Sequence, residues 1–132
     1  IRWPAKIKPG QTSEQVCITF DLTKSILNLT GADAQHRNLD GYDIIDHLVQ
    51  QKAPIPRTLY WRGKRGDRVW KAVRHGDNKL VTKEGEGQPI QSVFDLSSDP
   101  AEKNDLADSK PKLTGQLLNL LQNWENVTRP IR

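Results

Sequence analysis

The chain has 132 residues and a mass of 15.0 kDa, enough for one ordinary domain and too little for two large cores. Its 20 Lys and Arg face 16 Asp and Glu, a formal charge of +4 and a pI of about 9.3, which is a weaker basic excess than nucleic-acid binding calls for. No stretch approaches the roughly 20 apolar residues of a membrane span, so neither a nucleic acid nor a membrane is expected as a partner.

The chain lacks methionine and opens Ile1-Arg2-Trp3-Pro4, so it is expected to be a piece of a longer polypeptide. A single cysteine, Cys17, excludes an internal disulfide, a CxxC pair and a cysteine-rich zinc site. Within Gln15-Val16-Cys17-Ile18 it reads as a small buried hydrophobe.

Residues 1–10 read as the end of a strand running into a turn, because Pro4 and Pro9 cannot donate to a ladder and Pro9-Gly10 favours a turn. From Val16 the pattern is helical. Phe20, Leu22, Ile26, Leu27 and Leu29 can share a broad apolar face, Thr19 or Asp21 can cap it, and Gly31 can stop it. Such a face wants a large partner surface. Leu39 to Leu48 predicts a turn and a short helix, which two prolines between Lys52 and Pro56 end.

The period then changes. Arg57 to Trp61 and Val69 to Arg74 are rich in strand formers and flank a basic, glycine-containing loop, Arg62 to Asp67. His75 to Asn78 makes the next tight turn, Lys79 to Thr82 a third strand, Gly85 and Gly87 a third connection, and Gln91 to Leu96 a fourth strand. Short links predict an antiparallel meander. In the last segment Leu113, Leu117, Leu120, Leu121 and Trp124 recur at spacings of three and four, the signature of an amphipathic helix covering one side of the sheet. The expected class is α+β: a four-stranded antiparallel sheet with a C-terminal helix packed across one face, preceded by a helical segment from a larger body.

The densest functional-looking cluster is the hairpin, where Arg62, Lys64, Arg65 and Arg68 accompany Trp61 and Trp70. Guanidinium forks match oxyanions and indole faces stack on sugars, so the group can bind phosphate, sulfate or carbohydrate; equally, the two tryptophans can be core and the cations a solvated tip. His36, His47 and His75 are too far apart for helical metal-site spacing. His75 lies on a turn beside Arg74 and Asp77. Asp40, Asp43 and Asp46 lack the glycine and closing glutamate of a calcium loop and read as turn and helix-start residues. No nucleophile elbow, glycine-rich phosphate loop or HExxH occurs. Neither catalytic nor metal-binding residues are therefore assigned within the chain.

The order of motifs resembles the C-terminal part of type I sulfatases of the arylsulfatase and N-acetylgalactosamine-6-sulfatase kind, within the alkaline phosphatase superfamily. Ile1 to Gly10 is similar to the family's IRWPGKIKPG segment, Asp21-Leu22 to its Asp-Leu helix start and Leu39-Asp40-Gly41 to its LDG turn. Val73 to Val81 resembles VRxGDWKLV, Phe94-Asp95-Leu96 resembles LYDL, and Asp99 to Leu106 resembles DPxExNDLA. Two departures stand out: Lys24-Ser25 occupies the place of the family's Pro-Thr, and Asn78 that of the Trp in GDWK.

The resemblance implies that residues 1–56 end the parent enzyme's α/β domain and residues 57–132 form its C-terminal subdomain. It implies a sulfuric ester hydrolase whose formylglycine nucleophile, made from C-x-P-x-R or S-x-P-x-R, and whose calcium ligands lie upstream. Cys17 lacks the Pro and Arg of that motif. By position, Trp61, Arg62, Lys64, Arg65, Arg74 and His75 are the candidates to touch the sugar or anionic part of a substrate. The implied partners are the N-terminal catalytic domain and a sulfated sugar or aryl sulfate. Self-association through an uncovered apolar surface near Ile1, Phe20, Leu22 and Ile26 and a periplasmic or secreted location are also expected. The alternative is a module that holds sulfated glycans without hydrolysis.

Overall fold

The computed structural model describes residues 1–32, 39–85 and 87–128. His36 and Glu86 lie outside the described residues. The chain divides into two compact units, Ile1–Ile55 and Pro56–Arg132.

The first unit contains helix α1, Thr19–Thr30, and helix α2, Ile44–Val49. Residues 1–10 form no strand: the Lys6 and Ile7 amides both donate to Trp3 O, at 2.9 and 2.7 Å, and close a turn where a strand end was expected. Two prolines close together withhold the donors that a ladder needs, and local bonds win. Helix α1 starts at Thr19, later than the apolar pattern suggests, because the Asp21 carboxylate reaches back to the Ile18 amide at 2.8 Å. Gly31 ends it in the left-handed region (φ +66°), and the Ala32 amide donates to Leu27 O at 3.1 Å.

Buried polar groups tie the helices together. Asp21 Oδ1 accepts the Tyr42 amide at 2.9 Å. Ser25 Oγ accepts the Ile44 amide at 2.9 Å and the Ile45 amide at 3.3 Å, while donating to Asp21 O. Both side chains are fully buried. Ser25 thus supplies to the exposed donors of the α2 N-terminus a hydroxyl acceptor, the same chemistry a Thr would offer there. Gly41 lies so close to α1 that an added Cβ would sit 2.4 Å from Phe20 O, which explains why the turn ends in glycine. Asp43 caps α2 by accepting the Asp46 amide at 3.0 Å.

The second unit is a four-stranded antiparallel meander, β1 Thr58–Arg65, β2 Arg68–His75, β3 Asn78–Glu84 and β4 Ile90–Asp95, followed by helix α3, Pro111–Thr128. The basic run expected as a loop continues β1 as far as Arg65. Two-residue turns, Gly66-Asp67 and Gly76-Asp77, join β1 to β2 and β2 to β3, with both glycines at φ +59°. The register places Tyr60, Val73, Leu80 and Val93 in one row across the sheet. Val73, Leu80 and Val93 are completely buried with Leu117 and Leu121 of α3, and Tyr60, Leu113, Leu120 and Trp124 pack around them. The leucine stripe therefore covers one face of the sheet, as its spacing predicts.

Candidate functional site

Strand alternation sorts the hairpin residues onto two faces. Trp61, Trp70, Ala72, Arg74, Lys79 and Val81 share the face turned away from α3, since Trp61 pairs with Ala72, Ala72 with Val81 and Arg74 with Lys79. Together with Leu96, Pro100 and Glu102 they line an open cleft of about 790 Å³. Its floor is low for a reason written in the register: Trp61 stands opposite Ala72, and Trp70 opposite Gly63, so each indole faces a residue with little or no side chain. Trp61 keeps 38% of its surface exposed.

The cations at one end of the cleft differ in how far they are committed. Lys79 Nζ donates to Glu102 Oε1 at 2.5 Å. Arg74 Nε donates to Gly76 O at 2.9 Å, and among the described residues the guanidinium otherwise meets Asp77, at 3.9 Å. Its terminal nitrogens therefore retain donors for an anion.

The other named candidates lie elsewhere. The Arg62 guanidinium sits 5.8 Å from the ring centroid of Trp124, which itself stacks on Tyr60 at 5.1 Å with planes 1° apart. Arg62 thus belongs to the helix-covered face. Burial raises the Tyr60 phenol above its ordinary value, against a smaller opposing effect of Thr58. His75 Nδ1 lies 2.7 Å from Thr58 Oγ1, its register partner. Lys64 and Arg65 are exposed near the hairpin tip. Of the six candidates, Trp61 and Arg74 bring their side chains to the cleft, Arg65 shares their face but lies beside the tight turn, and the structure adds Trp70, Lys79 and Glu102. The signal that identifies them is the period of two in Trp70-Lys71-Ala72-Val73-Arg74, once two-residue turns fix the register.

Lys71, on the helix face, bridges Glu84 at 2.8 Å and Glu125 at 3.2 Å. Burial would lower its pKa, but the bonds from the two carboxylates outweigh it and raise the ammonium above its usual value. The loop that follows β4 ties the sheet edge down. Asp105 Oδ1 accepts the Val93 and Ala107 amides, each at 2.9 Å, the Leu106 amide donates to Val93 O at 2.8 Å, and Asp99 Oδ2 accepts the Asn104 amide at 2.8 Å. With Lys79 to Glu102, the DPxExNDLA-like segment is a set of structural clasps. Burial works to raise the Asp105 carboxyl, yet the two amides and Ser92 hold it below the usual range.

In the first unit a second hollow of about 580 Å³ is lined by Cys17, His47, Gln15 and Lys52 among others. Cys17 is exposed rather than buried, because its extended segment alternates and turns Val16 and Ile18 inward instead. His47 is buried, and neither ring nitrogen has a hydrogen-bond partner among the described residues. Among the described residues, no three His, Cys, Asp or Glu side chains lie together as a metal site would need, so Asp40, Asp43 and Asp46 do not form one.

An α+β fold of this kind recurs as one part of larger proteins. No protein-family model matches the chain. It is 28% identical to the N-acetylgalactosamine-6-O-sulfatase of Bacteroides thetaiotaomicron over 138 aligned positions, covering 93% of this chain and 26% of that protein. It is also 28% identical to arylsulfatase A of Bos taurus over 144 positions, covering 93% of this chain and 28% of the relative. The fold matches the candidate sulfatase yidJ of Bacteroides fragilis with a TM-score of 0.74 at 19% identity, over 94% of this chain and 28% of that one. It matches Ps i-CgsB equally well, with a TM-score of 0.74 at 21% identity over 92% of this chain and 27% of that one. The chain is thus a relative of the sulfatases that spans about a quarter of their length, which agrees with a C-terminal domain.

Proposed function

We propose that the chain is the C-terminal portion of a calcium-dependent, formylglycine-type sulfuric ester hydrolase, completing the fold and bordering the substrate entrance while carrying no catalytic group itself. The observation that carries this reading is the match of 93% of the chain to little more than a quarter of two sulfatases, in company with six sulfatase-like motifs in order. The reactive aldehyde and the calcium ligands belong to the preceding catalytic domain, the partner of this piece. When bound there, the metal and aldehyde supply the nucleophile and neutralise sulfate oxygens; this chain's residues would position the remainder of the substrate. Trp61 and Arg74 lead that set, with Arg62, Lys64, Arg65 and His75 as its outer members.

The substrate class is a sulfated sugar or an aryl sulfate. Export to the periplasm or the exterior follows the same reading, and no described helix is long and apolar enough to cross a membrane. Separated from its catalytic domain, the chain would self-associate through Ile1, Phe20, Leu22 and Ile26, which are 72, 40, 38 and 56% exposed. The test is turnover of a chromogenic aryl sulfate. The protein encoded by the complete gene hydrolyses it, and the 132-residue chain does not. Turnover that scales with the concentration of this chain alone, or a complete gene without the C/S-x-P-x-R motif, overturns the proposal.

A further inference from the structure

We infer that the hollow of the first unit is a thiol-exchange site, where Cys17 takes up a small peptide thiol as a mixed disulfide and His47 holds the adduct by hydrogen bonding. The volume of about 580 Å³ lies within the range of small-molecule sites. Cys17 lines the hollow and is exposed, so its thiol is open to a reagent from solvent. His47 lines the same hollow from α2 yet keeps 3% of its surface, and among the described residues neither ring nitrogen is bonded. A neutral imidazole has one donor and one acceptor, and burying both unmet is costly, so the hollow calls for an occupant that offers the complementary pair. Gln15, also buried in this lining, shows the satisfied case: its Oε1 accepts the Ile55 amide at 2.6 Å and its Nε2 donates to Val16 O at 2.8 Å.

The rest of the lining selects the occupant. Gln11, Thr12, Ser13 and Gln51 bring uncharged donors and acceptors of the kind that pair with peptide amides. Gln51 follows α2 in the left-handed region, at φ +50°, where glycine is the usual residue; a glycine there would leave this wall without its amide. Lys52 in the lining is committed to Asp46 at 2.8 Å, which favours amides over a free anion as the polar groups of the occupant. In the exchange, the Cys17 thiolate attacks one sulfur of a peptide disulfide. A bond forms between the two sulfurs, the S–S bond of the reagent breaks, and the departing thiolate takes the proton that Cys17 gave up. Cys17 is oxidised and the departing sulfur reduced, so the disulfide is the sole oxidant. The tethered peptide then lies in the hollow with an amide group on His47. The step involves no sulfate ester and stands apart from the hydrolase reading.

The full 132-residue chain is equilibrated separately with glutathione disulfide and with bis(2-hydroxyethyl) disulfide, each against its own thiol, while intact mass and the His47 ring resonances are followed. Both reagents can reach an exposed thiol, but the glutathione disulfide alone carries peptide amides. The expected result is one glutathionyl group at Cys17, with an exchange constant about tenfold or more above that of the hydroxyethyl reagent, the worth of one or two buried hydrogen bonds. The His47 ring resonances move in the glutathionyl adduct and stay in place in the hydroxyethyl adduct. His47→Leu, which puts a hydrocarbon where the imidazole lay, abolishes the preference and leaves the hydroxyethyl reaction unchanged. Equal exchange constants for the two reagents, unmoved His47 resonances in the glutathionyl adduct, or a preference kept by His47→Leu overturns the site. If His47→Leu does not fold, the exchange constants and ring resonances of the unaltered chain decide.

Discussion

Pro56–Arg132 closes an apolar core of its own, in which Val73, Leu80, Val93 and Leu117 retain at most 1% of their surface. In Ile1–Ile55, by contrast, the completely buried side chains are Asp21 and Ser25, beside Ile44 and Ile45 of α2, and the large apolar residues of α1 stay outside, with Ile26 at 56% and Leu29 at 42% exposure. The sheet and α3 are stabilised by removing hydrocarbon from water, a term that scales with area and tolerates imperfect geometry. The two-helix unit is held by hydrogen bonds to backbone donors, each modest in net effect but costly when broken because the orphaned donor is buried. The sheet unit closes its core with its own residues.

The largest effect that would test this contrast is expected from Leu117→Ala, which removes the centre of the leucine stripe and should cost about 2–5 kcal/mol. Denaturant unfolding monitored by exchange of the β2 to β4 amides measures it; a loss below about 1 kcal/mol would show that α3 is not the lid of the core. Asp21→Ala should follow, at about 1–3 kcal/mol, since it strips the Ile18 and Tyr42 amides of their acceptor. Hydrogen exchange should then accelerate in α1 and the 41–45 turn, and an unchanged exchange pattern there would refute the polar-hub account. Gly41→Ala should act on the same turn by steric means, since the Cβ would meet backbone rather than a side chain that can move aside.

Acid should distinguish the clasp after β4 from the apolar core. Asp105 has a folded pKa below its unfolded value, so the unfolded chain binds the proton more readily; its stabilisation is present above about pH 4 and fades as pH falls through the lower folded value. Asp43, lowered by its Asn28 and Asp46 bonds against the opposing effect of burial, acts in the same direction. Asp105→Ala should cost about 1 kcal/mol at neutral pH and flatten the acid limb of the unfolding curve; an unaltered limb would mean that the clasp is not where acid acts. The smallest effect is expected from Arg62→Ala, about 0.5–1 kcal/mol from loss of the cation over Trp124.

The meander, its two tight turns and the leucine helix were legible because each depends on local rules: alternation within a strand, glycine at a turn, and a repeat of three and four in α3. Two of the places where the structure differs are those where local rules compete. At residues 1–10 two prolines favour a turn over a ladder, and at Cys17 the choice of inward or outward depends on the phase of an extended segment. The candidate site was legible only as composition. Arg62 and Trp61 are neighbours in the chain yet face opposite ways, and Trp70, Lys79 and Glu102 join the cleft from three separate segments.

Sequence alone therefore determined which segments are helix and strand, and the motif order that points to sulfatases, since both are carried by residues close together along the chain. Tertiary structure decided which cations keep free donors and which tryptophans share a face. Those are consequences of register and of contacts between distant residues, such as Lys79 with Glu102, that no local pattern encodes.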